Sequence, residues 1–208
     1  IYQCDWSSDV CSSDLGRITF VSCNNPAKLT DAVVSLWSRV LKAVPHSQLL
    51  LKYVGWFGDR TVRERFIRMF EANGVGADRL DFRGRDLRRI DQLALLNEAD
   101  IALDPFPFNG CTTTFEALWM GVPVVTLDQP LIAGRQTLSM LHNIGLEGLV
   151  ARDAGDYVRI AARLAADREA LAGLRRTLRG RFSASPLADH ARFARDWTGA
   201  LRQLWQAQ

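Results

Sequence analysis

From Arg17 onward the chain alternates short apolar runs with amphipathic helical stretches, and this alternation leaves little choice of architecture. Arg17–Ser22 (RITFVS) reads as a first strand. Thr30–Ala43 then places Val33, Val34, Leu36, Trp37, Val40 and Leu41 on one helical face. Thr30 or Asp31 can cap its start, and Pro45 stops it. Gln48–Val54 is a continuous apolar run of the kind buried on both faces of a parallel sheet. The pattern predicts a helix over Arg60–Ala72 ended by Asn73-Gly74, a strand at Arg79–Arg83 and a helix at Ile90–Asn97. A fourth strand at Asp100–Asp104, a helix at Thr113–Met120 and a fifth strand at Pro123–Leu127 follow. A helix at Arg135–Asn143 precedes a weak strand at Leu149–Ala151. Beyond these only helical patterns occur, at Gly155–Ala166, Arg168–Arg181 and Leu187–Ala207. Repeated strand–helix units joined by right-handed crossovers imply an open parallel sheet with helices on both faces. The expectation is one α/β domain over residues 16–208 with a helical carboxyl-terminal tail.

Ile1–Leu15 (IYQCDWSSDVCSSDL) fits none of this, having neither hydrophobic periodicity nor a signal-peptide core. Asp5–Leu15 has the form that a common sequencing-library adapter encodes when read in frame. Residues 1–15 are therefore expected to be non-native and disordered, with the natural coding sequence starting near Gly16 and truncated at its amino end. Without them only Cys23 and Cys111 remain, which gives a disulfide framework no support. Three aspartates also leave, so the net charge rises from +3 to +6. Arginine supplies 23 of the 26 basic residues, and eleven of these lie beyond Val150, spread along helical patterns as solvated faces are. No basic-plus-aromatic motif points to nucleic acid. No apolar run approaches the roughly twenty residues of a membrane span. With no targeting signal, a cytoplasmic location is expected, with neither nucleic acid nor membrane as partner.

Open parallel sheets bind ligands beyond the carboxyl ends of their strands, where the strand order reverses. In the usual 3-2-1-4-5-6 order that point lies between the first and fourth strands. The loop after strand one, Ser22-Cys23-Asn24-Asn25-Pro26-Ala27-Lys28, offers one cation and two amides. The loop after strand four runs from Asp104 through Pro105, Pro107 and Asn109-Gly110 to Cys111-Thr112-Thr113-Thr114. Two prolines stiffen it, Asn109-Gly110 permits a tight turn, and three threonines open a helix. Unpaired N–H groups at a helix start attract anions. A diphosphate fits between that helix end and Lys28, with Glu116 one turn on to accept from ribose hydroxyls. A plainer reading stands beside this one: Lys28 as a surface lysine, the threonines as an N-cap cluster, and Glu116 as an acid favoured by the helix dipole. His46, His142 and His190 lie in separate segments and read as structural or surface residues. The chain has no GxGxxG or P-loop lysine motif, which argues against ordinary NAD and ATP folds.

These segments resemble the carboxyl-terminal catalytic half of the O-GlcNAc transferase family, including its bacterial and SPINDLY-type members. The resemblance rests on Asn24–Lys28 with Trp37 nine residues on, on DIALDPFPFNGCTTT from Asp100 to Thr114, and on EALWMGVPVVTL from Glu116 to Leu127. Ala133-Gly134-Arg135 and Ser185-Pro186-Leu187 complete it. It implies a GT-B glycosyltransferase, in which two Rossmann-like domains face each other across a cleft, with UDP-GlcNAc seated mainly on the second. The acceptor is then a Ser or Thr hydroxyl of a protein, reached through the missing amino-terminal region, and neither cofactor nor metal is expected. By position, Lys28 matches the lysine that binds the diphosphate and stabilises the leaving group. Asn25 matches an amide that contacts phosphate, Thr112 and Thr113 the threonines that hold the phosphates, and Glu116 the ribose-binding acid. Cys111 stands where animal members have His, and Gln92 lies about where the family places a His that stacks on uracil. The resemblance thus implies the donor-binding half of a protein O-linked N-acetylglucosaminyltransferase, inactive by itself. The alternatives are a non-catalytic nucleotide-binding module or a GT-B enzyme using another UDP-sugar such as UDP-glucose.

Overall fold

A computed structural model describes residues 16–84 and 88–207. The expectation for residues 1–15 therefore lies outside the described residues. Six strands form one parallel sheet: β1 (Thr19–Ser22), β2 (Gln48–Lys52), β3 (Leu80–Arg83), β4 (Ile101–Leu103), β5 (Val124–Leu127) and β6 (Val150–Ala151). Their order is β3-β2-β1-β4-β5-β6, so the strand order reverses between β1 and β4 as the sequence implies. The strands are apolar on both faces because helices cover both. Phe20, Leu49, Leu50, Leu51 and Ile101 are fully buried. Asp100 locks the central pair together: its carboxylate accepts from the Thr19 N–H at 2.7 Å, and its own N–H donates to the Thr19 carbonyl at 2.8 Å.

The helices are α1 (Asp31–Ala43), α2 (Arg60–Ala72), α3 (Arg89–Leu95), α4 (Thr112–Trp119), α5 (Gln136–Asn143), α6 (Ala154–Ala166), α7 (Arg168–Ser183) and α8 (His190–Gln206). Five starts carry a side-chain cap: Thr30, Asp59, Asp153, Asp167 and Asp189 each accept from an N–H in the first turn of α1, α2, α6, α7 and α8. Each cap contributes about 1 kcal/mol. At the other end of α1, Arg79 Nη2 donates to the carbonyls of Leu41 and Val44 at 3.0 and 3.1 Å, meeting the negative end of the helix dipole. No helix among the described residues is long and apolar enough to cross a membrane.

Boundaries shift where local geometry overrides pattern. The second strand stops at Lys52, because Val54 adopts φ 26° in a turn and is exposed. The helix expected over Ile90–Asn97 ends at Leu95 and tightens into a 3-10 turn over Leu96–Glu98. The last helix begins at His190, after a 3-10 turn at Pro186–Ala188 and the Asp189 cap. It leaves Phe193, Trp197, Leu201, Leu204 and Trp205 exposed along one side.

A close backbone approach fixes the end of β3. A Cβ built on Gly84 would lie 2.2 Å from Gly58 N and 2.6 Å from the Phe57 carbonyl carbon. Backbone cannot yield as a flexible side chain does, so Gly84→Ala is expected to cost about 2–3 kcal/mol. A urea midpoint unchanged from wild type would show that the two segments separate at no cost.

Candidate functional site

The first loop of the switch point is shaped by Pro26, which starts a short 3-10 turn over Pro26–Lys28. Asn25 caps that turn: its Oδ1 accepts from Ala27 N–H at 2.9 Å and its Nδ2 donates to the Tyr53 hydroxyl at 3.4 Å. The turn aims Lys28 across the sheet at the second loop. There Lys28 Nζ donates to the Asn109 carbonyl at 2.7 Å and stands 4.3 Å from the centre of the Phe108 ring. Burial pulls the Lys28 ammonium down from its ordinary value, while the charges of Asp104 and Cys111 push it back up.

The second loop ends at α4, whose N-cap residue is Cys111. Its side chain makes no capping hydrogen bond, in contrast to the five capped starts. The start of α4 is tied to the first loop instead: Thr113 Oγ1 donates to Asn24 Oδ1 at 3.3 Å. Thr114 is buried and bonds the Thr137 hydroxyl at 3.1 Å, while Thr112 and Cys111 are exposed at the rim. Gly110 permits this packing, since a Cβ there would meet the Thr113 and Thr114 hydroxyl oxygens at 2.7 Å and Asn24 Oδ1 at 3.2 Å. The result is an exposed helix start and a lysine anchored by the same loop, a combination that suits a diphosphate.

Glu116 and Gln92 form a second group. Gln92 Nε2 donates to Glu116 Oε2 at 3.4 Å, so α3 and α4 bring together two residues 24 positions apart. Cys23 lies near them; burial, with the Glu116 charge adding and the Lys52 charge opposing, pushes its thiol up to about 12. It is therefore a neutral thiol and no nucleophile at ordinary pH. An open recess of about 700 Å³ adjoins this group, lined by Thr112, Phe115, Glu116, Trp119, Phe182 and His190 among others. His46 and His142 lie on the surface, the latter 3.0 Å from Glu147.

Two contributors carry no role in the sequence reading, Phe108 and Asp104, and Asn24 enters it only as one of two loop amides. Asn24 and Phe108 act through residues about 80 to 90 positions away, at |i−j| of 89 and 80. Asp104 is buried at the end of β4, where burial raises its carboxyl to about 6. Hydrogen bonds from Gly110, Thr137 and Thr126 and the Lys28 charge act against that rise. The proline-flanked motif marked the loop as unusual, but nothing in it showed that its first residue holds its last turn.

This architecture, a parallel 3-2-1-4-5-6 sheet whose switch point carries the distinctive loops, is that of a Rossmann-like domain of the GT-B glycosyltransferases. Residues 14–197 match Glycosyl transferase family 41, and the chain belongs to that family. It is 42% identical over 191 residues to a probable UDP-N-acetylglucosamine–peptide N-acetylglucosaminyltransferase SPINDLY from Solanum lycopersicum, covering 92% of this chain and 20% of that protein. An O-GlcNAc transferase mutant from Thermobaculum terrenum superposes with a TM-score of 0.86 at 38% identity, covering 91% of this chain and 36% of that one. Sucrose-phosphate synthase from Thermosynechococcus elongatus shares the fold, with a TM-score of 0.62 at 19% identity over 94% of this chain and 48% of that one. The chain thus corresponds to an O-GlcNAc transferase-like catalytic region and spans about a fifth of the length of the curated relative.

Proposed function

We propose that this chain is the donor-binding half of a cytoplasmic protein O-linked N-acetylglucosaminyltransferase, with UDP-GlcNAc as donor and a protein Ser or Thr hydroxyl as acceptor. The observation that carries the reading is the convergence of Lys28 and the uncapped start of α4 at the β1/β4 switch point, joined through the Asn109 carbonyl and Asn24. Lys28, Thr112 and Thr113 take the diphosphate, with the Asn25 amide at the rim. Glu116 accepts from the ribose hydroxyls, Gln92 and Cys111 line the nucleotide's surroundings, and the recess beside Glu116 takes the nucleoside. The names of the tomato and Thermobaculum relatives support the choice of sugar and acceptor.

When the acceptor oxygen attacks C1 of the sugar, the bond to the β-phosphate oxygen breaks and negative charge grows on the diphosphate. A positioned ammonium and a helix start lower the energy of that charge without reorganising, so no metal is required. Positioning the acceptor hydroxyl and removing its proton fall to parts of the enzyme outside this chain, which is therefore silent alone. Calorimetric titration of the chain with UDP and with uridine tests the reading. UDP should saturate, and uridine should bind at least about tenfold more weakly, since it lacks the charge-assisted contacts. Equal affinities would remove the diphosphate role from this site.

A further inference from the structure

The Asp104 side chain is not among the groups proposed to touch the donor, yet it is 1% exposed and organises what does. A buried carboxylate is tolerated only where donors meet its oxygens. Here Oδ1 accepts from the Gly110 N–H at 2.7 Å and Oδ2 from the Thr126 hydroxyl, on β5, at 2.8 Å. The main chain of the same residue is held too. The Tyr157 hydroxyl of α6 donates to its carbonyl at 3.1 Å, and its N–H donates to the Val125 carbonyl at 3.0 Å. Asp104 is a fixed post, and its bond to Gly110 closes the intervening loop into a ring.

The ring has two outward consequences. Just before Gly110, Asn109 turns its carbonyl to Lys28 Nζ and Phe108 sets its ring against the same nitrogen. Just after it, Cys111 begins α4. The seat of the cation and the start of the helix are both within two residues of the N–H that Asp104 holds.

We propose that Asp104 is a positioning residue of the donor site: without touching the nucleotide, its carboxylate holds Gly110 so that Lys28 and the first turn of α4 face one diphosphate. The inference rests on the donor-binding reading above. The electrostatics agree with it. Burial lowers Lys28, and the Asp104 charge is the largest influence opposing that fall, so the carboxylate helps keep the ammonium protonated. With its own carboxyl near 6, Asp104 is mostly ionised at neutral pH. The titratable groups that face it among the described residues are Lys28, from the connection after β1, and Tyr157, from α6.

Asp104→Ala and Asp104→Asn, each in the full chain and each checked for native circular dichroism, test the proposal in two ways. In the absence of nucleotide, the Lys28 ammonium followed by NMR should titrate at lower pH in both variants. In a double-mutant cycle with Lys28→Ala, Asp104→Ala should weaken UDP binding about tenfold in the wild-type background and less than about threefold in the Lys28→Ala background. Asp104→Asn keeps an acceptor for Gly110 and should fall between wild type and alanine, which also serves if the alanine variant does not fold. Additive losses, or unchanged UDP affinity in the folded variant, overturn the role. A wild-type chain that binds no UDP overturns the donor reading, whereas an unmoved Lys28 titration overturns the role of Asp104, so the two failures are separable.

Discussion

Trp37→Ala is expected to lower the free energy of unfolding by about 3–5 kcal/mol. Trp37 is wholly buried on α1, in a face that also buries Val33, Val34, Leu36, Val40 and Leu41. Part of the loss is the transfer of the indole from the interior. The rest is the cavity it leaves, which α1 cannot close by shifting. The helix is capped by Thr30 at its start, and Arg79 holds the carbonyls at its end. Domains of this size have about 5–15 kcal/mol in total, so this single truncation removes a large share of the stability. Denaturant titration reads the effect as a lower midpoint with an unchanged slope. A loss below about 1 kcal/mol would mean that the interface between α1 and the sheet repacks freely.

The second large effect falls on binding. Lys28→Ala should weaken UDP affinity by about ten- to a hundredfold, corresponding to the roughly 1.5–3 kcal/mol of a charge-assisted contact. The lower half of that range is favoured, because the resting ammonium already has the Asn109 carbonyl and the Phe108 ring, and a phosphate oxygen gains only the difference. Lys28→Arg should recover little, since a planar guanidinium does not fit a seat formed by one carbonyl and one ring face. Calorimetry on the three proteins decides the matter: equal affinities would move the diphosphate away from Lys28.

The sheet order was legible because its cause is local. Each strand is a short apolar run between helical patterns, and the parallel connection has one favoured hand. The position of the candidate site followed from that order. What the sequence did not disclose was held in contacts between distant residues. Arg79 read as the first residue of a strand, but it closes the end of α1 from |i−j| of 38 and 35. Val54 read as a strand residue because it is apolar, but the turn after Lys52 takes it to positive φ. The loop from Asp104 to Cys111 stood out by its prolines and glycine, yet the partners that shape it are Thr126, Tyr157 and Lys28 from three other elements. Hydropathy and turn chemistry carry no information about such pairings.

The central place of β1 has a consequence for how the chain is made. Phe20 pairs with Leu49 on one side and Ile101 on the other. The first partner leaves the ribosome some thirty residues later, and the second about eighty. At roughly 5–20 residues per second, the β4-facing edge of β1 waits on the order of several seconds for its neighbour. During synthesis a later strand therefore completes an earlier one, and an exposed row of backbone N–H and C=O groups persists until it does. That interval is when a chaperone has most to protect and when two nascent copies are most able to join wrongly.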